Sequence, residues 1–143
     1  RLAAYLLLPA LLMFSNAAWA CNCLPQSAAQ EALKGSSYVM VAEVLEKTRI
    51  TLSEIAPDYR EFKVKVRVRH YWKGSPKRFM LIRTPEGVEE CGAQLEVGKR
   101  YLIYAVGTAM PLVTSCSRTI EADSSQAHLD ERQLGPAVIP EEE

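Results

Sequence analysis

The chain has 143 residues, 48% of them hydrophobic, with 17 basic against 17 acidic side chains and four cysteines. That length accommodates one ordinary hydrophobic core and excludes two. The cancelled charge excludes a global electrostatic pull toward nucleic acid or anionic lipid.

Residues 1–20, RLAAYLLLPALLMFSNAAWA, read as an export signal peptide. Arg1 precedes an apolar run from Leu2 to Phe14, and Ala18 and Ala20 put small residues at the two positions a signal peptidase inspects. The run is shorter than the roughly 20 apolar residues of a spanning helix, which disfavours a retained anchor. Cleavage there makes Cys21 the first residue of the mature protein, secreted or periplasmic. A lipid on Cys21 is the rival reading. Lipoprotein leaders usually carry leucine three residues before the cysteine and a small residue two before it; here those positions are Ala18 and Trp19. Lipidation would also leave an odd number of thiols.

Cys21, Cys23, Cys91 and Cys116 all follow the cut, and an even number in an exported chain favours two disulfides. Three pairings are possible. A bond between Cys21 and Cys23 is sterically awkward, so long-range pairing is favoured. A structural zinc site would want paired C-x₂₋₄-C knuckles, whereas Cys91 and Cys116 each stand alone.

Beyond the CNCLP segment, Ser27-Ala28-Ala29-Gln30 has the form of a capping box, with helix formers behind it to about Lys34 and Gly35 as the stop. SYVMVAEVLEKTRI is rich in β-branched residues and reads as a first strand, broken by TLSEIAPDY. In EFKVKVRVRHYW, Phe62, Val64, Val66 and Val68 alternate with Lys63, Lys65, Arg67 and Arg69, which predicts a strand with one dry and one wet face. KGSP turns the chain, KRFMLIRT is a third strand, RYLIYAV a fourth and PLVTSC a short fifth. DSSQAHLDERQL reads as a surface helix with Asp123 as cap and Gln126 three residues on. The fold expected is mainly β, a small closed five-stranded sheet with one or two short helices over residues 21–134. GPAVIPEEE, residues 135–143, is expected to be a disordered acidic tail.

Catalytic chemistry finds no footing. His70 and His128 lie on separate elements, and no H-E-x-x-H, G-x-S-x-G or Gly-rich phosphate loop occurs. The basic stripe with Tyr71 and Trp72 beside it could in principle track a phosphate backbone. Its strict alternation favours a solvated strand face, so no nucleic-acid partner, cofactor, intrinsic metal or enzymatic activity is expected.

CNCLP resembles the mature start of the tissue inhibitors of metalloproteinases, which begin Cys-x-Cys-x-Pro. SSYVMVAEVLE resembles that family's first strand, and VRHYWKG its strand end before a Lys-Gly turn. TPEGVEECGAQLEVGKRYLIYAV is similar to the stretch holding Cys-Gly and the strand after it, and VTSCS to the closing cysteine segment. The likeness spans nearly all of 21–120. It implies a netrin-like, Greek-key OB barrel with disulfides Cys21–Cys91 and Cys23–Cys116. It implies further that the amine and carbonyl of Cys21 chelate the catalytic zinc of a metalloprotease while Asn22 faces the enzyme's specificity pocket. A non-inhibitory netrin-like module that binds another extracytoplasmic protein is the alternative. The animal inhibitors also carry a third disulfide in this domain and a second cysteine-rich domain, neither with a counterpart in this sequence. The family's first hairpin is expected to be shorter here. The compact form resembles an exported bacterial relative, with no membrane contact once the leader is removed.

Overall fold

The computed structural model describes residues 21–51 and 58–142. The signal-peptide reading falls on residues 1–20 and so lies outside them. Among the described residues no helix is long and apolar enough to cross a membrane.

The chain order is α1 (Ala29–Gly35), β1 (Tyr38–Thr51), β2 (Arg60–Lys73), β3 (Phe79–Pro85), β4 (Arg100–Ala105), β5 (Ile120–Glu121) and α2 (Ser125–Leu134). The strands form one open antiparallel sheet in the order β3-β2-β1-β4-β5. Five antiparallel strands with two short helices are an OB-like, mainly β fold.

The apolar run at the start of β1 is continuous because the strand is buried on both faces. Met40, Ala42 and Val44 join Val64, Val66, Ile82 and Ile103 in one core. Val39 and Val41, pointing the other way, join Leu102, Tyr104, Ala29 and Ala127 in a second. β4 splits its side chains identically, with Tyr101 and Ile103 on the first side and Leu102 and Tyr104 on the second. The helices therefore form a layer over β1 and β4, while the sheet curls around the other core. The middle of β2 keeps the alternation read from the sequence: Val64, Val66 and Val68 are buried, and Lys65 and Arg69 are exposed. Arg67 and Arg69 both donate to Glu43 on neighbouring β1, at 2.7 and 2.8 Å. Their hydrogen bonds hold the Glu43 carboxyl below its ordinary pKa.

Several expectations are corrected. PLVTSC is not the fifth strand; Ile120–Glu121 is, pairing with Leu102 and Tyr101. Residues 111–114 instead bridge sheet edges: Leu112 pairs with Val106 just past β4 and with Arg83 on β3. β1 and β2 have 14 residues each and pair from Val39 with Lys73 to Thr51 with Arg60. Both caps move by one residue. α1 has Ala28 as cap and no side-chain cap bond. α2 is capped by Ser124, whose Oγ accepts from the Ala127 N–H at 3.1 Å, while Asp123 turns away to Arg100.

The tail also differs from expectation. Val138 exchanges both backbone hydrogen bonds with Tyr71 at 2.8 Å, Trp72 donates its indole N–H to the Gly135 carbonyl at 2.8 Å, and Arg78 pairs with Glu142. Pro140 is buried. The physical reason is that β2 outruns β3, whose pairing ends at Arg67 with Phe79, and the unpaired edge beyond needs a partner.

Candidate functional site

Two disulfides fix the start of the described chain, Cys21 to Cys91 and Cys23 to Cys116, with Cα–Cα distances of 5.5 and 5.2 Å. These are the long-range pairs that the resemblance implies. Their loops of 70 and 93 residues overlap. With the first bond closed, the second closes a path of only about 25–30 residues, still worth roughly 3–4 kcal/mol in the chain-entropy treatment.

The two receiving cysteines are built on adjoining turns. Gly92, next to Cys91, bridges Thr114, two residues before Cys116, and the Ser115 N–H donates to the Cys91 carbonyl at 2.8 Å. The first turn is folded tightly: the Gly92 N–H donates to the Gly87 carbonyl at 2.9 Å and the Gly87 N–H to the Glu90 carboxylate at 2.9 Å. Gly92 is required by contact, because a β-carbon there would lie 2.1 Å from the Pro85 carbonyl oxygen. Cys91 itself takes the left-handed φ of 64°, rare for a residue with a side chain. In the second turn the Thr114 N–H donates to Ser117 Oγ and the Cys116 N–H to Thr114 Oγ1.

Stapled across these turns, Cys21 sits half-buried with its sulfur 3.4 Å from the Val88 carbonyl. Asn22 is exposed, and Leu24 stands 87% exposed. The segment is an outward ridge. Beneath it, between the segment, α1, the end of β4 and the Cys116 turn, lies an open cleft of about 590 Å³.

A buried polar cluster adjoins the cleft. Asp130, fully buried on α2, accepts from Arg118 Nε at 2.6 Å and Nη2 at 2.8 Å, from Gln126 at 2.9 Å and from the Tyr104 hydroxyl at 3.2 Å. Burial alone would raise the Asp130 pKa, but the hydrogen bonds from Arg118 and Gln126 outweigh it and leave the carboxyl below its ordinary range. Tyr104 shifts upward, by burial first and then by the Asp130 charge. The remaining guanidinium nitrogen, Arg118 Nη1, donates to the Ser27 carbonyl at 2.6 Å.

Sequence reasoning placed Cys21, Asn22 and all four cysteines at the site but overlooked Arg118, Asp130 and the steric role of Gly92. A signal for Asp130 was present. Ala127, Asp130 and Leu134 share one helical stripe at spacings of three and four, and all three are buried. A carboxylate inside such a stripe demands a partner.

The family model for tissue inhibitor of metalloproteinase matches residues 19–127. The chain belongs to that family, which is an inhibitor family and not an enzyme family. No curated protein matches the chain closely enough to count as a relative. Among the described residues no three His, Cys, Asp or Glu side chains are grouped to hold a metal ion.

Proposed function

We propose that the mature protein is an exported inhibitor of zinc metalloproteases that acts through its own amino terminus. The observation that carries this reading is the pair of staples on residues 21 and 23, which hold an exposed Asn22 between them. A catalytic zinc in a protease keeps one coordination position open. The α-amine and carbonyl oxygen of Cys21, once the leader is removed, close a five-membered chelate ring on such a metal. Asn22 then enters the pocket beside it. Ordering a free peptide end costs binding free energy, and the two crosslinks have met that cost before the encounter.

The amine binds metal only when neutral, and an α-amine titrates near about 7.7–8.0. Inhibition is therefore expected to weaken as pH falls below about 7. An inhibition constant that stays flat from pH 8 to 6 would count against chelation.

The direct test compares the mature chain with one carrying an extra alanine before Cys21, against a panel of metalloproteases. The extension acylates the Cys21 nitrogen while leaving both disulfides possible. Lost inhibition with an unchanged melting curve supports the mechanism. Inhibition that survives the extension, or that the parent lacks, points instead to an interaction module for another extracytoplasmic protein. Mass spectrometry of the exported chain establishes first whether Cys21 is terminal.

A further inference from the structure

We propose that Arg118 is a positioning residue for the amino-terminal ridge, setting the course of residues 24–27 from a charge cluster buried under α2. The proposal rests on the inhibitor reading for its consequence but not for its geometry.

Residues 24–27 run from the Cys23 disulfide to the start of α1. Among the described residues, the hydrogen bond they make is the one from Arg118 Nη1 to the Ser27 carbonyl. Packing does not hold them either, since Leu24, Pro25 and Gln26 are exposed and the cleft lies beneath the span. A span secured at both ends and open below takes its direction from those ends. One end is the Cys23–Cys116 bond; the other is the start of α1, where Ala29 is buried and Arg118 holds the carbonyl of Ser27 just before it.

The guanidinium is suited to this because it cannot turn. Nε and Nη2 engage both oxygens of Asp130, and a planar fork held on that side has a fixed third direction. Asp130 is anchored in turn by Gln126 and Tyr104, so the direction traces back to α2 and β4. Arg118 also lies two residues from Cys116. The charge cluster and the disulfide therefore leave the same loop and grip the same segment at two points. Ser27 contributes its carbonyl here and no side-chain cap to α1, which begins one residue later than its capping-box pattern predicts.

The test uses the whole mature chain and backbone ¹⁵N relaxation. Arg118→Met combined with Asp130→Leu and Tyr104→Phe removes the cluster without stranding a buried charge, an exchange that folds tolerate. The order parameters of Leu24, Gln26 and Ser27 are expected near about 0.85 in the parent and below about 0.6 in the variant. Those of β1 and β4 should not change. Arg118→Lys, which keeps the charge but loses the planar fork, should fall between. Inhibition, where the parent shows it, should weaken roughly tenfold in the triple variant. A folded triple variant with an unchanged ridge overturns the proposal, as does a parent whose ridge is already below about 0.6. Should the triple variant not fold, an Arg118→Lys ridge identical to the parent's overturns it as well. A parent that inhibits no metalloprotease defeats the functional reading and leaves the relaxation result to decide this one.

Discussion

The two ends of the described chain are secured by different chemistry. The amino-terminal ridge is held by two disulfides and an arginine, with its side chains turned outward. The carboxy-terminal segment is held by one backbone pair with Tyr71, an indole hydrogen bond and an ion pair, with Pro140 turned inward. The difference follows from what each end leaves exposed. An extended segment that buries little surface cannot offset its ordering entropy with noncovalent contacts. Crosslinks act on the unfolded chain instead and need no burial. Rigidity and exposure are compatible at the first end because sulfur supplies the rigidity. The second end is ordered only as far as it covers an edge.

The largest way to break this contrast is to cut a staple. Cys23→Ser with Cys116→Ser should cost roughly 3–4 kcal/mol in urea unfolding and should free the ridge in relaxation measurements. Next is the turn that receives the other staple. Gly92→Ala sets a methyl group against the Pro85 backbone and should cost about 2–3 kcal/mol in the same assay. A milder effect separates the ends by pH. Asp130 has a carboxyl pKa below its ordinary value, so its stabilising contribution is complete above that ordinary value and disappears as pH falls through the lowered one. Urea melts from pH 5 down to 2 should therefore show the parent losing stability more steeply than the Arg118→Met/Asp130→Leu/Tyr104→Phe variant. The smallest change is expected at the other end. Val138→Pro removes the donor to the Tyr71 carbonyl and should cost about 1 kcal/mol, with a red shift in Trp72 emission as Gly135 moves away. A comparable loss at both ends would erase the distinction.

The parts of this architecture visible in the sequence are those where one local pattern has one cause. β2 alternates over Val64–Arg69 because there only one of its faces is dry, and that period of two survives in the structure. The Cys-x-Cys start with two distant cysteines, read through the family resemblance, located the ridge. The local motif places both caps one residue early: Ser27 and Asp123 match it, but the Asp123 carboxylate is claimed by distant Arg100, and Ser27 gives α1 no side-chain cap bond. PLVTSC has strand chemistry, yet its backbone is divided between two edges, Val106 and Arg83, a choice that no local pattern encodes. The tail reads as disordered by composition because what orders it is the length by which β2 exceeds β3. Arg118 belongs to the same class: it looks like a surface charge until Asp130, which the helical stripe of α2 does mark, is in view.

The outward stance of Asn22 and Leu24 has a practical meaning for protein engineering. Neither side chain contributes to either core, so a library randomised at these two positions should return folded members almost throughout, differing in what they bind and not in how they melt. On the proposed inhibitory reading, target choice and scaffold integrity fall to separate residues, and selection can retune the first without renegotiating the second.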